Sequence, residues 1–148
     1  MDTASYPPRK LSLEALIAVL VKEHALMKEG LLRARESAAR NDYGAVLTEL
    51  VRLDPLFKQH IADEESTVLG FLIRQLGVKG AAAEIRVFQQ HRPIYRLMKK
   101  VTELASMSAA ELQANQTELN DLFGLHTAVE EKDVFPRAKS ISTSPDRR

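Results

Sequence analysis

The sequence predicts an all-α protein, an up-down-up-down four-helix bundle. Three observations predict this fold class. Apolar residues recur at spacings of three and four along four long stretches, residues of high helix propensity such as Ala, Leu, Glu and Arg are abundant, and short polar or glycine-containing breaks separate the stretches. The length of 148 residues suits one domain. We expect an N-terminal arm over residues 1–10, the bundle over residues 11–138 and a mobile tail over residues 139–148.

The first helix is predicted from Ser12 to about Arg40. One face of this stretch carries a histidine among apolar residues at helical spacing: Leu13, Leu16, Ile17, Leu20, Val21, His24, Met27 and Leu31. The polar sequence from Asn41 to Gly44 breaks the pattern, and the Asp42 side chain can cap the N-terminus of the next helix.

The second helix is predicted from that break to about Leu76. Pro55 lies inside it and lacks the amide hydrogen that a helix interior needs. We therefore expect either a kink at Pro55 or a restart, with Asp54 as the cap and Pro55 in the first helical position. The sequence from Gly77 to Gly80 should end this helix.

The third and fourth helices follow the glycines. The third is predicted over about Ala81–Ser106, because apolar residues again recur at helical spacing. The fourth opens at a capping box, Ser108-Ala-Ala-Glu111, and should stop at Pro136. From Lys139 onward no periodic pattern remains, so we expect a mobile tail.

Composition excludes several classes of function. The formal net charge is +1, with acidic and basic residues interspersed, which argues against a nucleic-acid groove or a polybasic membrane patch. The chain has no cysteine, which excludes disulfides, iron–sulfur clusters and thiolate nucleophiles. Residues 1–10 contain no signal-peptide core, and no apolar run approaches the roughly 20 residues needed to cross a bilayer. We therefore expect a soluble cytoplasmic protein without nucleic-acid or membrane partners.

Each predicted helix carries one of the four histidines on its apolar face. These are His24, His60, His91 and His126. Two of them are followed by a glutamate one turn later, His60 by Glu64 and His126 by Glu130. Residues four apart share a helix face, so each pair directs an imidazole and a carboxylate toward the same volume. Counting the helix rise from each loop places the histidines at similar heights, with a mismatch of roughly 9 Å across the second loop.

Together these six side chains predict a metal site. A single histidine on an apolar face is ordinarily a hydrogen-bonded core residue, and for each one alone that interpretation stays open. Four imidazoles and two carboxylates buried in one cross-section would be costly unless a metal neutralises and binds them. Imidazole and carboxylate without thiolate suit iron, manganese or zinc. Two ions bridged by the two carboxylates would use every ligand.

The order of these motifs resembles the haemerythrin-like HHE cation-binding domain. The matching pieces are His24, His60-Ile-Ala-Asp-Glu64, His91, His126-Thr-Ala-Val-Glu130 and the apolar-Phe-Pro sequence that ends at Pro136. The resemblance covers about residues 11–137. It implies two non-haem iron ions, oxo- or hydroxo-bridged, with Glu64 and Glu130 as bridging ligands. By the same resemblance His24 and His60 would serve one iron, and His91 and His126 the other.

One position departs from the family pattern. Oxygen-carrying haemerythrins have a second histidine one turn after the third, where this chain has Tyr95. Tyr95 is therefore either a core residue with its hydroxyl satisfied near the site or an additional iron ligand as tyrosinate. Glu131 is a candidate additional ligand or a neighbour of the ligands, because oxygen carriers use a carboxylate five residues after the last histidine.

Three further acidic residues adjoin the histidine motifs: Glu65, Glu23 and Asp63. We expect Glu65 to be solvated or to neighbour a ligand. Glu23 and Asp63 could orient ligand rings as hydrogen-bond acceptors, but we expect both to face water.

The expected function is that of a di-iron binding protein that handles a small ligand (O2, NO or peroxide) as a sensor, a scavenger or an iron-centre maintenance factor. A conventional enzyme is not expected, because the sequence offers no nucleotide-binding loop and no activated serine or cysteine nucleophile. Two alternatives stay open. One is a di-iron enzyme that reduces peroxide or nitric oxide, and the other is a metal-free helical interaction module.

Overall fold

Helices dominate the computed structural model, which describes residues 3, 5–103 and 107–144. None of these residues lies in a strand, so the predicted all-α class is confirmed. The helices are α1 (Leu13–Ala39), α2 (Tyr43–Asp63), α3 (Gly70–Gly80), α4 (Ala82–Gln89), α5 (His91–Thr102), α6 (Ala109–Val129) and α7 (Phe135–Thr143). Two π-helical segments, Glu64–Leu69 and Glu130–Val134, continue α2 into α3 and α6 into α7. In the resulting helical bundle, α1 packs against α2 and α6, and α5 packs against both as well.

The helix starts follow from the capping residues. Ser12, Asp42 and Ser108 precede α1, α2 and α6, and the side chain of each accepts the backbone N–H of the residue three positions later. Each bond satisfies one of the amide groups that the first turn of a helix leaves without a partner. The predicted caps at Asp42 and Ser108 are confirmed.

Two prolines behave differently from the prediction. The helix α2 runs through Pro55 without a break, so the predicted restart is wrong. Pro55 cannot donate to the carbonyl of Val51, but Val51 lies on the exposed side of the helix, where water can satisfy that carbonyl. Pro136 does not stop the last helix, because the carbonyl of Lys132, to which it cannot donate, belongs to an exposed residue that water can reach.

Two predicted boundaries also change. The helix α7 continues to Thr143, so the predicted end of the bundle at residue 138 is too early and residues 139–143 belong to a helix. Ser144 follows the helix, and residues 145–148 of the predicted tail lie outside the described residues. The third helical stretch ends at Thr102, earlier than the predicted Ser106, and Ser106 itself is not among the described residues.

Two breaks in the helical backbone lie on either side of α4, at Gly77 and Gln90. Gly77 has a φ of +74°, a conformation that favours glycine, so the predicted break between residues 77 and 80 is confirmed. Gln90 then separates α4 from α5. A continuous helix would require an amide hydrogen on Pro93 to bond the carbonyl of Gln89, and proline has none. The break therefore falls directly before His91.

The apolar core forms two clusters, one on each side of the histidines. On α1, Leu16 and Leu20 belong to one cluster and Met27 and Leu31 to the other, with His24 between them. The other helical stretches also have one cluster on each side of their histidine, in the same order on the third stretch and in the reverse order on the second and fourth. Each fully buried aliphatic side chain stabilises the fold by about 1.5–3 kcal/mol, so both clusters hold the central cross-section rigidly. None of the described helices combines the length and the apolar character that crossing a membrane requires.

Candidate metal centre

The structure brings all six predicted ligands together between the two core clusters. Their side chains are at most 3% exposed: His24, His60, Glu64, His91, His126 and Glu130. They form two groups that could hold metal ions, and within each group the nearest ligand atoms lie within 4.8 Å of one another. One group contains His24 and His60, the other contains His91 and His126, and both include the same two glutamates.

Glu64 directs one oxygen toward each pair of histidines. Its Oε2 lies 3.3 Å from His60 Nε2 and 3.9 Å from His24 Nε2. Its Oε1 lies 2.9 Å from His91 Nε2. The carboxylate therefore stands between the two groups, which is the position that a bridging ligand needs.

Glu130 also contacts both pairs. Its Oε1 lies 3.2 Å from His24 Nε2 and 3.1 Å from His126 Nε2. Its Oε2 lies 3.9 Å from His91 Nε2. Each of the two glutamates therefore lies within 3.9 Å of histidines from both pairs.

The inner atoms of this centre lack hydrogen-bond partners. Among the described residues, seven buried atoms here are unpaired: Nε2 of His24, His91 and His126 and both carboxylate oxygens of Glu64 and Glu130. The shortest N···O separations are 2.9–3.3 Å, yet the atoms are not aligned as donors and acceptors. Two ligand atoms that bind one ion at right angles, each at about 2.1 Å, lie about 3.0 Å apart. The residues present therefore fit metal ions between them.

The outer nitrogen of every imidazole is held by a side-chain oxygen. The Nδ1 distances are 2.7 Å for His24 to Glu131, 3.0 Å for His60 to Glu23, 2.8 Å for His91 to Glu65 and 2.9 Å for His126 to Gln90. Each Nδ1–H donates to its acceptor, which leaves the Nε2 lone pair directed inward. This arrangement is typical of histidines that bind metals, because the acceptor fixes the tautomer and the ring orientation.

Both π-helical segments begin at a central glutamate. Glu64 opens the first segment and Glu130 opens the second. A π turn accommodates one more residue than an α turn, and such turns occur frequently at functional sites. The segments let each glutamate face the centre while the following residues return to the core, where Val68 and Val134 are buried.

Two phenylalanines stack on the imidazoles. Phe135 stacks on His24 with ring centroids 5.8 Å apart, and Phe88 stacks on His91 at 5.4 Å. Both rings belong to the same apolar cluster, which closes one side of the centre. They add packing that limits rotation of the two imidazoles.

The structure also corrects the predictions for the neighbouring acids. Glu23 and Asp63 do not face water: they are 6% and 0% exposed. Glu23 bonds His60, as described above, and both carboxylates pair with the guanidinium of Arg9. Glu65 accepts a hydrogen bond from His91, and Glu131 accepts one from His24.

Sequence reasoning missed Arg9 and Gln90. Arg9 precedes the first helix and has no periodic pattern around it. Gln90 carries no charge, and amides are rarely singled out as functional residues. A signal was nevertheless present, because Gln90 precedes His91 as Glu23 precedes His24.

The ring of Tyr95 contacts Phe57 and Lys58, neither of which belongs to the six central side chains. Its ring stacks on Phe57 with centroids 6.1 Å apart, and the ammonium of Lys58 lies 5.7 Å from the ring centroid. No hydrogen bond or ring contact among the described residues joins it to a ligand histidine or glutamate. The placement favours the core interpretation of Tyr95 over the ligand interpretation.

The buried carboxylates strengthen the binding of protons by nearby imidazoles. Burial lowers the pKa of His24, but the adjacent carboxylates of Glu130 and Glu64 outweigh burial and raise it to about 10. Burial likewise lowers the pKa of His91, and its carboxylate neighbours raise it well above the usual range. Burial raises the pKa of Glu64, but the positive charge of His60 and further imidazole contacts hold it well below its usual value. A metal must therefore displace protons from the imidazoles.

No protein family, curated protein or solved structure matches this chain. The class of site is therefore defined by its own geometry. It is a buried histidine–carboxylate centre in a helical bundle, with two ligand groups that share both carboxylates.

Proposed function

We propose that this chain is a haemerythrin-like, non-haem di-iron protein that handles a small ligand such as O2, NO or peroxide. Its bundle would have the up-down-up-down topology of that class. His24 and His60 would hold one iron, and His91 and His126 the other, with the two glutamates between them. The role would be that of a sensor, a scavenger or a maintenance factor for iron centres.

One observation carries the proposal: two pairs of imidazoles share two buried carboxylates. Isolated core histidines would be satisfied by ordinary hydrogen bonds, whereas these inner atoms are unpaired and converge in two groups. Two negative charges and four imidazole nitrogens suit a pair of ions of intermediate softness, such as iron. Helical bundles build di-iron sites from inward-facing histidines and glutamates of this kind.

The order of contacts along α1 and α6 supports the proposed topology. His24 contacts Glu131, whereas Leu31, further along α1, accepts a hydrogen bond from Asn120, which is earlier in the last stretch. Contacts that run in opposite directions along two helices are those of an antiparallel pair. The connection between α1 and α2 is also short, as between antiparallel neighbours in a bundle.

A small apolar cavity beside the centre favours a small ligand. It has a volume of about 10 Å³ and is lined by Met27, Leu31, Leu53, Phe57, Ile94, Met98 and Phe123. That volume admits about one water-sized molecule. Four of the lining residues lie three positions from a site histidine: Met27, Phe57, Ile94 and Phe123. A diatomic molecule fits such a space and an organic substrate does not.

A bound iron pair would supply redox chemistry and an open position for the ligand. The chain itself would orient the four imidazoles through their outer acceptors and exclude water through the apolar lining. Reduction of peroxide or nitric oxide consumes protons, and the side chains that line the cavity offer none. This lining favours binding over multi-step reduction.

Elemental analysis of the purified protein tests the proposal, combined with an absorption spectrum and thermal unfolding. We expect two irons per chain, and a midpoint of unfolding that falls after a strong chelator removes them, because the assembled site exists only in the native state. Protein that carries no metal and keeps its midpoint with chelator would contradict the proposal and favour a metal-free module. Sustained consumption of peroxide or nitric oxide would instead indicate an enzyme.

A further inference from the structure

The N-terminal arm is attached to the last turns of α2. The backbone N–H of Arg9 donates to Asp63 Oδ1 at 2.8 Å, and Arg9 Nε donates to Asp63 Oδ2 at 2.6 Å. The side chain of Gln59 donates to the carbonyl of Pro7 at 3.0 Å. These bonds fix the arm beside the part of α2 that carries His60.

Arg9 also bonds the residue that holds His60. Its Nη2 donates to Glu23 Oε1 at 2.9 Å, and the same oxygen accepts the Nδ1–H of His60 at 3.0 Å. Glu23 and Asp63 are buried carboxylates, and a buried charge requires a partner. The planar guanidinium reaches both from one position, which a lysine ammonium cannot do equally well.

The equivalent position in the other half of the centre is built differently. His126 donates to Gln90, an amide that needs no counter-charge. The contact of the arm is thus specific to the half of the centre that contains His24 and His60.

We propose that Arg9 is a positioning residue for the metal ion held by His24 and His60, and that it acts through Glu23 on His60. The inference rests on the proposed metal function. Arg9 keeps the Glu23 carboxylate where it accepts the Nδ1–H of His60, and this bond directs His60 Nε2 toward Glu64. Without Arg9, two buried carboxylates would lie close together without a cation, and Glu23 would leave His60 for solvent.

Titration with Co²⁺ tests the proposal in Arg9→Met. Arg33→Met is the matched control, because Arg33 pairs with Glu49 at 2.9 Å on the exposed surface. We expect two Co²⁺ ions to bind the wild type and the control alike. In Arg9→Met one of the two should bind about 10- to 100-fold more weakly, which is the usual effect of removing support behind a ligand. Arg9→Lys keeps the positive charge but cannot bond Glu23 and Asp63 equally well from one position. Its affinity for that Co²⁺ ion should therefore fall less than in Arg9→Met.

A spectroscopic signature separates positioning from general stabilisation. In the Co²⁺-loaded protein each bound imidazole carries an exchangeable Nδ1 proton whose NMR signal is shifted by the metal. We expect four such signals in the wild type and in Arg33→Met. In Arg9→Met the signal of His60 should move or exchange faster with solvent, because its acceptor is lost, while the signals of His91 and His126 stay in place.

Wild-type affinity for both ions and four unchanged signals in Arg9→Met would overturn the proposal, even if the variant unfolds at a lower temperature. If Arg9→Met does not fold, as judged by its helical circular dichroism, the same comparison in Arg9→Lys decides. A wild type that binds neither Co²⁺ nor iron would overturn the proposed function and this inference together. Binding by the wild type with no difference in the variants would overturn the inference alone.

Discussion

The two halves of the metal centre repeat each other in sequence and in contacts. The first half combines Glu23-His24 with His60…Glu64-Glu65, and the second combines Gln90-His91 with His126…Glu130-Glu131. In each half the residue before the first histidine accepts a hydrogen bond from the second histidine. The residue after each glutamate accepts from the first histidine of the opposite half. The contacts of the two halves are therefore related by an approximate two-fold symmetry within the chain.

The two halves differ at one hydrogen-bond acceptor, the residue that precedes the first histidine of each half. Glu23 is a buried carboxylate supported by Arg9, whereas Gln90 is a neutral amide. A carboxylate acceptor strengthens the imidazole as a ligand more than an amide does, because it stabilises the positive charge that the ring gains on binding. Two metal positions with the same ligands therefore need not bind their ions with equal affinity. We expect the position of His91 and His126 to release its ion first.

The largest effect on metal content is expected from substituting a glutamate that both halves share. Glu64→Gln should remove both ions, because an amide cannot bridge two metals and leaves buried groups unpaired. His60→Ala belongs to one half and should leave one ion in place. Iron per chain by elemental analysis distinguishes the two outcomes, with the exposed Glu118→Gln as the control. Two ions bound at wild-type affinity in Glu64→Gln would rule out the assigned centre.

A pH series on the metal-free protein tests whether the imidazoles of the centre bind protons in the fold. The pKa of His24 is about 10 in the fold, against 6.5 in an unfolded chain, so between these values the native state binds more protons. Stability is then full below about pH 6.5 and falls as the pH rises toward 10. Each kcal/mol lost lowers the midpoint by about 2–4 °C in a domain near this size.

The metal-loaded protein is the control for this series. Its imidazoles carry metal in place of protons, so the alkaline loss should be absent. A midpoint of the metal-free protein that rises with pH over this window would show that the imidazoles are not protonated in the fold.

Gln90→Glu should make the two halves of the centre more alike in their affinity for metal. Gln90 is only half-buried, so a carboxylate is tolerated there and would accept from His126 as Glu23 does from His60. We expect the weaker ion to bind up to about tenfold more tightly. Stepwise Co²⁺ titration measures this, and Gln89→Glu, on an exposed neighbour, is the matched control. Unchanged binding would mean that the acceptor does not distinguish the halves.

Tyr95→Phe should have the smallest effect. The ring keeps its stacking on Phe57, and only the hydroxyl near Lys58 is lost. We expect unchanged metal content and a change in the free energy of unfolding below about 1 kcal/mol. The visible spectrum of the oxidised iron protein is the readout. A tyrosinate-to-iron band that disappears in the variant would restore Tyr95 as a ligand.

Helix periodicity accounts for what could be predicted. Glu64 and Glu130 follow His60 and His126 by one turn, and that spacing alone places each pair on one face. Periodicity could not reveal Arg9, which lies outside every helix and reaches the site by folding back. Burial of Glu23 and Asp63 was missed for the same reason, because their cation comes from the arm.

The prolines show a second limit of sequence reasoning. Pro136 was expected to end a helix, but its effect depends on whether the amide hydrogen that it lacks would have had a partner. The helical turn before Pro136 leaves the carbonyl of Lys132 without a donor, and Lys132 is exposed, so water can satisfy it. The segment Glu130–Val134 has only 5 residues, too few for the apolar pattern to show a change of period.

The same π-helical segments bear on how this sequence can vary over evolutionary time. Substitutions within Glu64–Leu69 or Glu130–Val134 leave the number of residues in the wide turn unchanged. Loss of one residue would restore an α turn and rotate everything on one side of it by about 100° relative to the other. A glutamate and the apolar residues that follow it would then no longer face the interior together. Insertions and deletions should therefore be excluded from these two short stretches, even where some of their residues are substituted.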